Sequence, residues 1–142
     1  MTPRQQLVAK IKAQGHSGYE VPFPVVSLED FFTGNEDLGS IGCNLSPHPG
    51  LEKFFDVLRS IRARPDVQDV LVTIYECDED DETMWPFSER IFVLTTASSQ
   101  DLAEWARELQ PTEVLNDGFV GGKPHAAPIP REGMKVLSLW WD

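Results

Sequence analysis

Two apolar runs rich in β-branched residues bracket a block of carboxylates near the middle of the chain. Residues 70–75 read Val, Leu, Val, Thr, Ile, Tyr and residues 91–95 read Ile, Phe, Val, Leu, Thr; between them stand Glu76, Asp78, Glu79, Asp80, Asp81 and Glu82. Apolar runs of this length and composition are buried strands, whereas clustered like charges need water, counterions or a cationic partner. The acidic stretch is therefore a solvated connection between two paired strands, a hairpin tip or its approach. Because successive side chains of a strand point to opposite faces, these runs supply apolar groups to both faces of the sheet. One face meets helices, and something must cover the other: the terminal helix, the chain's own long loops, or a second subunit in a homodimer.

The remaining pattern supplies the rest of the fold. Thr2 and Pro3 open a first helix with Leu7, Val8 and Ile11 as its apolar stripe, and Gly15 ends it. Residues 21–28 predict a strand that Pro22 and Pro24 confine to an edge. Residues 33–50, punctuated by glycine and proline, form a long ordered loop. Leu51, Phe54, Phe55, Leu58 and Ile61 recur at helical spacing until Pro65, with Arg59, Arg62 and Arg64 in the last turns, where cations suit the helix dipole. Strands follow over 68–75 and 90–96. Ser98 then caps a helix carrying Leu102, Trp105, Ala106 and Leu109; residues 112–115 make a short strand, 117–130 a loop and 134–141 a terminal strand. The order is βαββαβ, which predicts an α+β domain over 1–142 with a ferredoxin-like antiparallel sheet and two helices on one face, plus an N-terminal helix and long loops. Of the adjacent Trp140 and Trp141, one enters the core and the other meets the second face or a partner.

Charge excludes several functions. Twelve Lys and Arg stand against 23 Asp and Glu, a net charge of -11, which repels nucleic-acid backbones and anionic lipid. No run approaches the ~20 apolar residues that span a bilayer, and the first residues lack the apolar core of a signal peptide. Cys43 and Cys77 are too few for a disulfide framework and lack a CxxC spacing, as expected of reduced thiols in a cytoplasmic protein.

Candidate chemistry is sparse. Asp78, Asp80 and Glu82 alternate like Ca²⁺ ligands, but the glycine and the distant Glu of an EF-hand loop are missing. Trp85, Pro86 and Phe87 follow directly, so carboxylates and aromatics adjoin in a composition suited to gripping a basic protein or to capping the core end of the hairpin. Cys43 and His48, five residues apart in a Gly/Pro-rich segment, form the alternative site, a nucleophile and its base. Residues 118–124 imitate a phosphate loop, but Asp117 replaces the first glycine and Pro124 the hydroxyl after Lys123. His16, His48 and His125 show no metal-ligand spacing, and no cofactor or metal is expected. The expectation is a non-enzymatic acidic interaction module for a basic protein partner, with physics shared by inhibitors and immunity-type proteins, through Glu76, Asp78, Glu79, Asp80, Asp81, Glu82, Trp85 and Phe87. The competing expectation is a small enzyme or ligand-binding domain using the 33–50 loop at a dimer cleft.

Overall fold

The computed structural model describes residues 1–15 and 21–142, which leaves His16 outside the described residues. Within these residues the chain forms α1 (Pro3–Ala13), β1 (Val25–Val26), α2 (Leu28–Phe32), α3 (Leu51–Arg62), β2 (Val67–Thr73), β3 (Arg90–Thr95), α4 (Ser99–Trp105), β4 (Glu113–Leu115) and β5 (Lys135–Trp140), with 3-10 turns at Leu38–Ser40 and Arg107–Leu109. The strands make one antiparallel sheet in the order β1-β2-β3-β5-β4. The class is α+β, with the two apolar runs as central strands.

The strand order departs from a ferredoxin-like sheet, in which each crossover helix joins two parallel strands with another between them. Here β1 lies directly against β2, pairing Val25 with Thr73 and Val26 with Val72, and β5 inserts between β3 and β4. The first strand is also shorter than predicted, for a local reason. Pro22 and Pro24 cannot donate to a ladder, and Ser27 already accepts from Asp30 N as the cap of α2, so the predicted eight-residue strand shrinks to two residues at an edge.

Helix boundaries follow their caps. Thr2 Oγ1 accepts from Gln5 N at 3.1 Å while Gln5 Oε1 accepts from Thr2 N at 2.9 Å, a reciprocal box with Pro3 in the first turn. Ser98 accepts from Asp101 N and starts α4 as its spacing predicts. Along α3, Phe54, Leu58 and Ile61 are buried against Val70, Val72, Ile91, Val93, Leu137 and Leu139 of the sheet. Burying each such side chain is worth about 1.5 to 3 kcal/mol before entropy is counted. Gly42 has φ +64 and lies so close to this helix that a Cβ there would stand 2.7 Å from the Phe54 ring, so only glycine lets the loop pass.

The second sheet face is covered by the chain itself. Val25, Leu71, Phe92, Leu94 and Val136 form a separate cluster with Ala127, and Phe119 stacks edge-on against Phe92 at 5.2 Å. Gln68 pins this cover: its amide donates to Ile129 O at 3.0 Å and accepts from Arg131 N at 2.8 Å. Trp141 enters the main core, touching Phe54 and donating to Leu109 O at 2.8 Å, while Trp140 stays half-buried. The outer edge of β1 is closed by a side chain: Gln14 Nε2 donates to Val25 O at 2.8 Å and Gln14 Oε1 accepts from Val25 N at 3.2 Å, the pair of bonds a neighbouring strand would make. Among the described residues no helix is long and apolar enough to cross a membrane.

Candidate functional site

The acidic stretch closes the β2–β3 hairpin above a single bridge between Glu76 and Phe87. Its tip is a series of turns in which carboxylates serve the backbone. Asp78 Oδ1 accepts from Asp80 N at 3.1 Å, and Asp81 Oδ1 accepts from Thr83 N at 3.0 Å and from the Thr83 hydroxyl at 2.5 Å. The hydroxyl, then the amide, hold the Asp81 carboxyl below the usual carboxylate range.

A guanidinium from the far end of the sequence fixes this tip. Arg4, in the first turn of α1, donates to Asp78 O at 2.8 Å, Asp81 O at 2.7 Å and Met84 O at 2.9 Å. It therefore organises the loop through carbonyls and makes no ion pair with its carboxylates among the described residues. Two turns on, Lys12 pairs with Glu79 at 2.8 Å, and that hydrogen bond raises the Lys12 pKa above its ordinary value. Glu76, Asp78, Asp80 and Glu82 make no salt bridge among the described residues, and all four are exposed.

The loop shares a groove of about 630 Å³ with the turn that follows α2. Glu36 and Asp37 line one side, Glu82 and Thr83 the other, and Arg4 and Trp85 complete the wall. Asp37 ties the two together: Oδ1 accepts from Gly39 N at 3.0 Å and Oδ2 from Trp85 N at 3.2 Å. Asn35 braces the turn from below, donating to the Ser40 hydroxyl at 2.9 Å and accepting from Asp37 N at 2.9 Å. Leu38, which also lines the groove, is 52% exposed, and Met84, between two lining residues, is 46% exposed. Carboxylates, a rigid backbone and exposed apolar side chains thus adjoin.

The aromatic residues that follow the charges take other places. Trp85 is only 8% exposed and packs in the main core, so its ring seals the hairpin's core end. Phe87 is half-buried in the hairpin stem with its ring against Tyr75 at 6.1 Å. The apolar side chains presented beside the carboxylates are Leu38 and Met84.

Cys43 and His48 do not form a nucleophile and base. Gly50 N donates to His48 Nδ1 at 2.9 Å, so that nitrogen is the acceptor, and the proton on Nε2 is given to Ile41 O at 2.7 Å. Both ring nitrogens are committed to backbone, leaving no lone pair for a thiol proton. His48 instead joins the loop to α3, its ring 5.3 Å from Phe54. Cys43 is exposed and Cys77 half-buried; burial, the largest influence, pushes the Cys77 thiol upward and away from reactivity. Among the described residues no three His, Cys, Asp or Glu side chains are grouped to hold a metal ion.

The arginines of α3 and the turn after it are also committed internally. Arg59 pairs with Asp56 and lies over the Phe55 ring; Arg62 meets Glu29 through two bonds of 2.7 and 2.5 Å; Arg64 pairs with Asp66 at 3.2 Å and covers Trp105. Sequence reasoning did not reach Arg4, Lys12, Glu36 or Asp37 as parts of the site. Arg4 acts across 74 to 80 residues, and nothing near it in the chain marks that reach.

Fold and site together define an acidic α+β protein with a carboxylate-lined groove at the hairpin end of its sheet. Residues 2–139 match the model of the Uncharacterized protein YfbO family, and the chain belongs to that family. Uncharacterized protein YfbO of Escherichia coli (strain K12) is 36% identical over 144 residues, covering 100% of both chains. No solved structure matches.

Proposed function

We propose that this protein is a non-enzymatic interaction module whose acidic groove, formed by Glu36, Asp37 and the 76–82 loop, receives a basic surface or segment of a protein partner. The Arg4 clamp carries the reading. By holding Asp78 O, Asp81 O and Met84 O it fixes the loop without consuming its carboxylates, so the loop is ordered before binding and keeps its charge for the partner. Ordering in advance lowers the entropic cost of association, and clustered charge steers a cationic partner to the groove. Leu38 and Met84 add the apolar contact that charge alone does not supply.

A net charge of -11 and the internal pairing of Arg59, Arg62 and Arg64 disfavour nucleic acid as the ligand. The 116–134 segment already covers the second sheet face, so the reading needs no second copy as its partner. Cytoplasmic residence belongs to the same proposal, because an exposed free thiol such as Cys43 suits a reducing compartment.

The test is affinity capture from the native organism at low and high salt, with wild type and with the fourfold variant Glu36→Gln, Asp78→Asn, Asp80→Asn, Glu82→Gln. The expected result is a partner with a basic surface that is held at low salt, released at high salt and not held by the variant. Capture indifferent to both salt and substitution sinks the reading.

A further inference from the structure

The sheet face that the helices leave to the 117–127 segment holds a second concavity, much more enclosed than the groove. It measures about 200 Å³ and is walled by Phe23, Tyr75 and Phe92, with Val120 over it and Arg90 at one side. Arg90 opens β3 and shares that face with Phe92, two residues on. Its side chain is 19% exposed, and its Nη1 is buried without a hydrogen-bond acceptor among the described residues. Asp117 Oδ1 forms a long ion pair with this nitrogen at 3.8 Å, which leaves its N–H without a hydrogen bond. Ser138, opposite Phe92 in the ladder, carries a buried hydroxyl without a partner among the described residues on the same face.

A guanidinium cannot shed its charge, so a buried N–H of this kind calls for an anionic acceptor. The walls specify the rest of that acceptor's molecule. An apolar cavity of about 150 Å³ takes benzene, whereas pockets for drug-sized ligands begin near 300 Å³. This space suits one ring or a short chain with one acidic group.

We propose that it is a binding pocket for a small organic carboxylate, with the apolar body against Phe23, Tyr75 and Phe92 and the carboxylate on the Arg90 guanidinium. Charge complementarity selects the acid over a neutral molecule of the same shape. Glu89 also borders the space; burial, then Asp142, push its carboxyl upward, while Arg90 draws it down. Val120, 42% exposed, belongs to the covering segment and borders the space on its solvent side.

Calorimetric titration with benzoate, benzyl alcohol and acetate tests the pocket on the full chain. Saturable benzoate binding is expected, with benzyl alcohol and acetate each weaker by about tenfold or more, since one lacks the charge and the other the ring. Arg90→Gln removes the preference for benzoate over benzyl alcohol. Asp117→Asn, at an exposed position and close in shape to the native residue, strengthens benzoate binding a few-fold by removing the competing carboxylate. Benzoate that fails to saturate at millimolar concentration, binding no better than benzyl alcohol, or binding unchanged by Asp117→Asn overturns the proposal, whether or not Arg90→Gln folds.

Discussion

Asp69 shows how a single side chain carries a cost through the fold. It lies half-buried in β2 beside the register shift between Val67 and Asp69, where its Oδ1 accepts from Val70 N at 2.8 Å. Burial raises its pKa above the ordinary carboxylate value, outweighing that hydrogen bond and Arg62. The folded state therefore binds the Asp69 proton more tightly than the unfolded state, and stability falls as pH rises from the unfolded pKa through the folded one. Asp69→Asn keeps the acceptor and removes the charge. Thermal unfolding of the variant at neutral pH is expected above wild type, and the two should converge in acid below the unfolded pKa. A variant less stable at neutral pH that matches wild type in acid would show that the charge is favourably placed. Asp69 reads from the sequence only as a strand residue, because its desolvation depends on neighbours across the sheet.

Among the elements, those with strong periodicity or a cap were legible. α3 follows its apolar spacing, α4 its Ser98 cap, and β2, β3 and β5 their β-branched runs. α2 was missed because five residues are too few for periodicity, although Ser27, Glu29 and Asp30 carry the composition of a capped first turn. The acidic loop was recognisable as a solvated connection, but its rigidity was not, since that comes from α1. Replacing Arg4 tests this dependence between elements. Arg4→Ala should cost about 1 to 3 kcal/mol and speed amide exchange across residues 78–84, as the three carbonyls turn to water. Arg4→Lys should recover little, because one ammonium cannot span three acceptors that a planar fork reaches. Unchanged exchange in Arg4→Ala would show that the loop's own turns suffice.

At the scale of the whole molecule, the sequence required a cover for the second sheet face without saying which segment supplies it. The answer rests on Phe119, Ala127 and the paired amide bonds of Gln68, which reach across 61 and 63 residues of chain. The strand order was equally hidden, because β5 pairs with both β3 and β4 across distant stretches of chain and nothing local marks those partners. Gln14 decides how that short strand meets the outside. Gln14→Ala should lower stability by about 1 kcal/mol and, more tellingly, increase light scattering on storage or mild heating, since it uncovers a strand edge. Clear solutions indistinguishable from wild type would mean the edge is protected by something else. One amide at the end of a helix thus takes the place of a further strand beside Val25, so this flank of the sheet is finished by a group that takes no part in its core.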